Sequence, residues 1–236
     1  MATHIPPKPL VTGARSTHST IALKMLMAVS GLVFIAFVLA HMYGNLQAFA
    51  GHDAFNEYAE HLREIGEPMF PRGGLLWVLR VGLIAALAVH VACAVALWRR
   101  ASRARTVKYV VKKNDHSTIS SHWMRWGGVA LLLFVVWHLL NFTIGKVNVA
   151  GGPTNDPYVL LVDSFETWWL TLLYLVAMLA LGLHLHHGVW SAAQTLGLTN
   201  NVRARRNAKV LGAIVAVVIA GGFSLVPIFV LAGVIS

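Results

Sequence analysis

Residues 124–142 read MRWGGVALLLFVVWHLLNF, an apolar run that carries a single histidine, His138. A helix needs about 20 mainly apolar residues to cross the hydrocarbon core of a membrane. Similar runs recur along the chain, and together they predict five transmembrane helices at 21–50, 75–98, 123–144, 167–191 and 210–234. The expected fold is an all-α integral membrane protein, with residues 1–20 as a tail and residues 21–236 as one transmembrane domain.

The composition agrees with a membrane location. Of the 236 residues, 57% are hydrophobic and 12% are charged, whereas about one quarter of the residues in soluble domains are charged. The net charge of +10 comes from basic residues in short segments between the apolar runs. Binding to nucleic acid would require a solvated basic surface instead. We therefore expect membrane lipid, and no nucleic acid, as a partner.

The sequence lacks the motifs of flavin, nucleotide and iron–sulfur sites. Cys93 is its one cysteine, so the chain can form neither a disulfide framework nor a four-thiolate cluster. It has no GxGxxG or P-loop pattern in a strand–helix context. Any hydride chemistry is therefore expected in partner subunits.

Lys and Arg residues are concentrated in alternate loops, and residues of this kind are retained on the cytoplasmic side of a membrane. The second and fourth loops are basic, whereas the first and third are acidic. This pattern predicts a cytoplasmic amino-terminal tail, without a signal peptide, and a carboxy terminus outside. The basic residues are Arg99, Arg100, Arg103, Arg105, Lys108, Lys112, Lys113, Arg203, Arg205, Arg206 and Lys209.

Each of the first four predicted spans carries a histidine at depth: His41, His90, His138 and His184. Ionisable residues inside a membrane are costly and usually functional. The rise of a helix puts His41 and His138 about 20–24 Å from the inner boundary, and His90 and His184 about 10–15 Å from it. These depths predict an outer pair and an inner pair. Each pair can supply two axial nitrogens to one haem iron, so two b-type haems are expected at levels about 10 Å apart.

Small residues near the histidines agree with a flat macrocycle between the helices, although ordinary close helix packing explains them as well. These residues are Gly31, Gly44, Gly82, Gly127, Gly128, Gly182 and Gly188.

The histidine-containing stretches resemble the single-subunit, five-helix cytochrome b of succinate dehydrogenases and fumarate reductases. The resemblance covers nearly the whole chain and rests on SGLVFIAFVLAHMYGNLQ around His41, RVGLIAALAVH ending at His90, the run around His138, and HLHHGVWSAAQTLG beginning at His184. It implies an outer haem between helices one and three and an inner haem between helices two and four. The family's fourth-helix pattern, in which three residues separate the histidine from a glycine, selects His184.

The resemblance also implies a role in a complex of the bacterial plasma membrane. An FAD-containing dehydrogenase subunit and an iron–sulfur subunit would dock on the cytoplasmic face, and the flavoprotein would oxidise succinate. The chain itself would pass electrons through the two haems to menaquinone or ubiquinone. It would act as the quinone-reactive subunit, with no succinate-oxidising activity alone, and a higher oligomer is left open.

Ser30, Arg125 and Trp126 are candidates for contacts with haem propionates or with a proximal quinone. An arginine is a suitable partner for a propionate carboxylate. Arg125 can equally be a positive-inside anchor, and Trp126 can belong to an interfacial aromatic belt.

The first loop contains a second candidate group, Glu57, His61 and Glu64, for an outer quinone site or for proton transfer to it. The alternative is a solvated amphipathic helix, because Tyr58 and Leu62 recur at helical spacing.

Other interpretations stay open from the sequence. Cys93 and His187 follow His90 and His184 by one turn, so a His/Cys metal centre shared with a partner can replace the inner haem. The chain can also be the di-haem anchor of a hydrogenase or formate dehydrogenase. A transporter or proton channel with a histidine relay is a further class, but it predicts an internal repeat or broken helices, and neither is evident.

Overall fold

The computed structural model describes residues 19–104, 119–144 and 146–236, and the side chains within them except at 119–122. Throughout these residues the regular secondary structure is helical. The predicted tail lies outside the described residues up to position 18, as do Arg105, Lys108, Lys112 and Lys113. The helices are α1 (Thr20–Leu46), α2 (His52–Glu64), α3 (Gly74–Arg103), α4 (Ile119–Phe142), α5 (Pro157–Glu166), α6 (Trp168–Thr195) and α7 (Val202–Leu231), and a 3-10 turn (Gln47–Ala50) extends α1.

In the described part of the chain, five helical segments are long and apolar enough to cross a membrane. They are Thr20–Ala50, Gly74–Arg103, Trp123–Phe142, Trp168–Thr195 and Val202–Leu231. This result confirms the predicted all-α, five-span fold. The orientation of the termini stays a prediction that rests on the distribution of Lys and Arg.

The helices on the basic side extend beyond the predicted spans. Helix α7 begins at Val202 rather than at 210, because the Asn201 side chain accepts a hydrogen bond from the Ala204 amide and caps the first turn. Helix α3 continues to Arg103. Arginine is a good helix former, and its long side chain can reach polar surroundings from a helix that leaves the membrane. Apolar runs therefore predict the part of a helix that lies within the membrane, and not the residues at which the helix begins and ends.

Helix α6 lies at the centre of the bundle. It packs on α1, α4 and α7, while α1 also packs on α3 and α7. Helices α6 and α7 approach closely: a Cβ atom at Gly212 would lie 2.8 Å from the His186 carbonyl oxygen, and one at Gly182 would lie 3.3 Å from the Ala220 Cβ. Gly182 therefore serves helix packing and does not line a space for a macrocycle.

The short helices α2 and α5 contact each other at one end of the bundle. Asp156 caps α5 by accepting hydrogen bonds from the amides of Tyr158 and Val159, and Pro157 occupies the first turn, where its missing N–H costs nothing. Helix α5 is absent from the sequence prediction, since it is short. Its apolar side chains are mostly buried, and they form a core cluster with the facing ends of α6 and α7.

Candidate functional site

Two of the membrane histidines meet across α1 and α4. The ring centroids of His41 and His138 are 5.7 Å apart, with an interplanar angle of 78°. His41 is stacked on Phe37, at 5.4 Å, and Phe223 approaches it from α7 at 5.6 Å. Both histidines are half-buried in an aromatic environment.

The other two histidines meet across α3 and α6. The ring centroids of His90 and His184 are 6.2 Å apart, with an interplanar angle of 54°. The Ser30 hydroxyl lies 3.1 Å from His90 Nδ1. The Nδ1 atom of His184 is buried and has no hydrogen-bond partner in the described part of the chain. A buried nitrogen without a partner is costly, which suggests that this ring is held for a ligand that the protein atoms do not supply.

The spacing within each pair fits two nitrogens bound to one iron. Two imidazole nitrogens at about 2 Å from opposite sides of a metal ion separate the ring centroids by about 6 Å. In bis-histidine cytochromes the haem iron takes two axial ligands from the protein. Among the described residues, no group of three or more His, Cys, Asp or Glu side chains is placed to hold a bare metal ion. The geometry of each pair therefore suits a haem, whose macrocycle provides the remaining ligands.

The helices that carry each pair do not pack extensively on each other. Among the described residues, the extensively packed helix pairs include α1 with α3, α1 with α6 and α4 with α6, but neither α1 with α4 nor α3 with α6. In each pair the two histidines thus lie on helices whose backbones do not pack extensively on each other. A macrocycle inserted between two axial ligands requires such a separation.

Glycines adjoin both histidines of the inner pair. A Cβ atom at Gly31 of α1 would lie 3.5 Å from His90 Cε1, and one at Gly128 of α4 would lie 3.7 Å from His184 Cε1. Larger residues at these positions would occupy the space beside the rings. Gly44, in contrast, faces the Tyr58 ring of α2, so its small size serves the packing of α1 on α2.

The two pairs lie at different levels along the bundle. On α1, Ser30 contacts His90 of the inner pair, and His41 of the outer pair follows eleven residues later, which corresponds to about 16 Å of helix. On α4, Gly128 adjoins His184, and His138 follows ten residues later, or about 15 Å. Both helices therefore give the same separation of the two levels.

A buried polar chain leads away from His138. The Tyr174 hydroxyl oxygen lies 3.4 Å from His138 Nδ1 and donates to Asn141 Oδ1 at 2.9 Å. The Asn141 amide group donates to the Val147 carbonyl oxygen at 2.8 Å and to Ser164 Oγ at 3.2 Å. Sequence reasoning missed Asn141 and Tyr174. The available signal was Asn141, a polar residue one turn after His138 in an otherwise apolar helix end.

Comparison with known proteins identifies the family. Residues 99–221, more than half of the chain, match the family model of the succinate dehydrogenase/fumarate reductase transmembrane subunit. The chain belongs to this family. The match includes His138 and His184 and the whole of α6, whereas His41 and His90 precede it. No curated protein and no solved structure matches the chain.

Family membership confirms the predicted resemblance and the role of membrane anchor in such a complex. It favours this complex over a hydrogenase or formate dehydrogenase, and over a transporter. The alternative inner His/Cys centre finds no support among the described residues, where Cys93 is buried and does not join His90, His184 and His187 in a ligand group.

The three candidates for propionate or proximal quinone contacts are not brought together in this transmembrane subunit. Trp126 is 66% exposed, and its ring lies 6.1 Å from that of Trp98. The Arg125 guanidinium lies over the same Trp98 ring, at 5.5 Å. Ser30 is buried beside His90 instead. The contacts seen for Arg125 and Trp126 are those of an aromatic and cationic surface at the basic end of α3 and α4.

Glu57, His61 and Glu64 are exposed on α2. Their neighbour Glu60 forms ion pairs with Arg63, at 2.7 Å, and with Arg72. The helical structure of this segment confirms the amphipathic helix, while a role of the three residues in an outer quinone site stays a prediction.

A polar contact that the sequence did not predict joins α2 to α5. His52 Nε2 lies 2.7 Å from Asp156 Oδ2, and His52 Nδ1 lies 2.9 Å from Asp53 Oδ1. These hydrogen bonds, to Asp53 first and Asp156 second, raise the pKa of His52 above 6.5. Burial alone would raise the pKa of Asp156, but hydrogen bonds from Asn56, the Val159 amide and His52 lower it to about 2.

Proposed function

We propose that this subunit carries electrons from a flavoprotein and iron–sulfur pair on the cytoplasmic face, through two b-type haems, to a quinone in a bacterial plasma membrane. The family supports the membrane anchor and the complex. The proposal adds the cofactors, the path and the acceptor, which is menaquinone or ubiquinone.

One observation carries this proposal: two histidine pairs face each other across helices that do not pack together. The ring separations of 5.7 Å and 6.2 Å match the roughly 6 Å expected for two ligands of one iron. Four ionisable side chains inside a membrane would otherwise be costly without a return in stability. Cofactor ligation explains all four at once.

In this proposal His41 and His138 hold the outer haem, and His90 and His184 hold the inner haem. Each pair would hold its haem through one ring nitrogen of each histidine. When bound, each haem accepts and releases one electron. The separation of about 15 Å between levels along α1 and α4 supports transfer between the pairs rather than two unrelated sites.

The decisive experiment is a reduced-minus-oxidised visible spectrum of the complex purified from its native membrane. We expect two b-type components in the wild-type complex. His41→Ala is expected to remove one component, and His90→Ala the other. His186→Ala on α6, two residues from His184, is the matched control and is expected to retain both.

Absence of b-type absorbance from a correctly assembled wild-type complex would overturn the proposal. Loss of the same component in His41→Ala and His90→Ala would overturn the pairing. A wild-type complex with a single component that depends on His41 and not on His90 would instead favour a different centre at the inner level.

A further inference from the structure

The hydrogen bonds that end at His138 form a chain with a defined direction. Asn141 is completely buried, and Tyr174 is 5% exposed. Their positions on α4 and α6 place the chain between two helices of the bundle, next to the outer pair. Neither residue carries a charge, so the chain avoids the cost of an ionised group in the membrane.

The direction of the hydrogen bonds is set by the Val147 carbonyl oxygen, which can only accept a hydrogen bond. The Asn141 group that faces it, at 2.8 Å, must therefore be the amide NH₂, which also donates to Ser164. The orientation of an asparagine side-chain amide is assigned from its hydrogen-bond network. For Asn141 this network permits one orientation. Asn141 Oδ1 consequently points to Tyr174.

The Tyr174 hydroxyl has one proton, and it donates that proton to Asn141 Oδ1 at 2.9 Å. Only its lone pair is left for His138 Nδ1, at 3.4 Å. A contact between this oxygen and Nδ1 is favourable only when Nδ1 carries the proton. In that tautomer Nε2 has a free lone pair, which is the form a metal requires.

We infer that Asn141 and Tyr174 are positioning residues that hold His138 as the Nδ1-protonated tautomer and orient its Nε2 toward His41. This inference rests on the proposed function, because it gives the tautomer a purpose as a haem ligand. Metal-binding histidines commonly donate their other N–H to an acceptor that fixes the ring. Tyr174 supplies that acceptor without a charge.

Packing keeps the Tyr174 hydroxyl in place. Its ring makes edge contacts with Phe134, Phe165 and Phe142, at centroid distances of 4.9, 5.0 and 6.0 Å. Replacement by phenylalanine retains this aromatic cluster and removes only the oxygen. The effect of the hydrogen bond can therefore be separated from the effect of packing.

Tyr174→Phe in the purified complex tests the inference, with haem retention and redox potential as readouts. Loss of an acceptor behind a histidine ligand typically weakens metal binding 10- to 100-fold. The haem component of interest is the one that disappears in His138→Ala. In Tyr174→Phe we expect this haem to transfer roughly 10-fold more readily to an excess of haem-free acceptor protein. Its midpoint potential is expected to rise, because a less basic ligand stabilises the oxidised iron less.

Asn141→Leu is the second variant. It removes the acceptor of the Tyr174 proton, so the hydroxyl can donate to His138 Nδ1 and favour the wrong tautomer. The same component is expected to weaken at least as much as in Tyr174→Phe. Tyr158→Phe is the matched control. Tyr158 is also a buried tyrosine, but its hydroxyl donates to the Ser236 carbonyl oxygen and not to Asn141.

The component that depends on His90 reports correct folding in every variant. Unchanged retention and potential of the His138 component in both variants would overturn the inference, and so would equal shifts of both components. Neither result would contradict the proposed function, which fails only if the wild-type complex lacks the two b-type haem components.

Discussion

His90 and His184 lie with their ring centroids 6.2 Å apart, yet among the residues that the structure describes only His90 has a partner for its Nδ1 atom. The Ser30 hydroxyl donates to the carbonyl oxygens of Leu26 and Met27, at 2.8 and 3.1 Å. Its lone pair is therefore the part that meets His90 Nδ1. The inner pair has one histidine with an anchored ring, as the outer pair has in His138.

Ser30→Ala is expected to weaken the inner haem component roughly 10-fold, because it removes the side-chain acceptor behind His90 and leaves only the backbone contact with Met27. The measurement is haem retention in the purified complex during transfer to a haem-free acceptor protein. Ser224→Ala is the matched control, since Ser224 also bonds the carbonyl oxygen one turn earlier, at 2.7 Å, but lies on α7. Equal losses in the two variants would contradict the role of Ser30.

Gly128→Leu is expected to abolish the inner component and to spare the outer one. The new side chain would grow from a Cβ 3.7 Å from the His184 ring into the space beside it. Visible spectra of the assembled complex provide the measurement. Gly221→Leu on α7 is the control, because a Cβ at Gly221 meets nothing within 4 Å, and retention of the inner component in Gly128→Leu would argue against a macrocycle at this place.

Gly212→Val is expected to destabilise the packing of α6 on α7 by about 1–3 kcal/mol, the usual cost of overpacking. A Cβ at Gly212 would lie 2.8 Å from the His186 carbonyl oxygen, which is backbone and cannot move away cheaply. Thermal unfolding of the complex is the measurement. Gly221→Val, where a Cβ meets nothing within 4 Å, is expected to stay near wild type, and an equally stable Gly212→Val would contradict the close approach.

The contact between His52 and Asp156 is expected to depend on pH. Since the pKa of His52 is raised, its contribution is complete below about 6.5 and is lost as the pH rises through the raised value. Since the pKa of Asp156 is lowered to about 2, its contribution is complete above about 4 and is lost as the pH falls through 2. The contact is therefore strongest between about pH 4 and 6.5.

Hydrogen exchange of the Tyr158 and Val159 amides, corrected for the intrinsic effect of pH, measures this contact because both amides donate to Asp156. Protection should fall in the wild-type chain as the pH rises above about 6.5 and through the raised pKa of His52, but not in His52→Gln. The Ala204 amide, capped by Asn201, is the internal reference. Identical profiles for wild type and His52→Gln would show that the histidine does not stabilise α5.

Sequence alone determined the five spans and the four histidines, because a membrane imposes local requirements. Each helix satisfies its own backbone hydrogen bonds in lipid, so the length and apolarity of a run suffice to predict it. The apolar runs did not predict where α3 ends and α7 begins, because arginines continue both helices past their apolar parts. Spacing along each predicted helix also supported an outer and an inner pair of histidines.

Only the tertiary structure decided which side chains stand behind those histidines. The contacts of Ser30 with His90, of Tyr174 with His138 and of His52 with Asp156 join residues far apart in the chain. They depend on the rotation and relative height of packed helices, which apolar patterns do not specify. The same dependence explains why α1 and α4 do not pack extensively on each other, whereas glycines let the backbones of α6 and α7 approach closely.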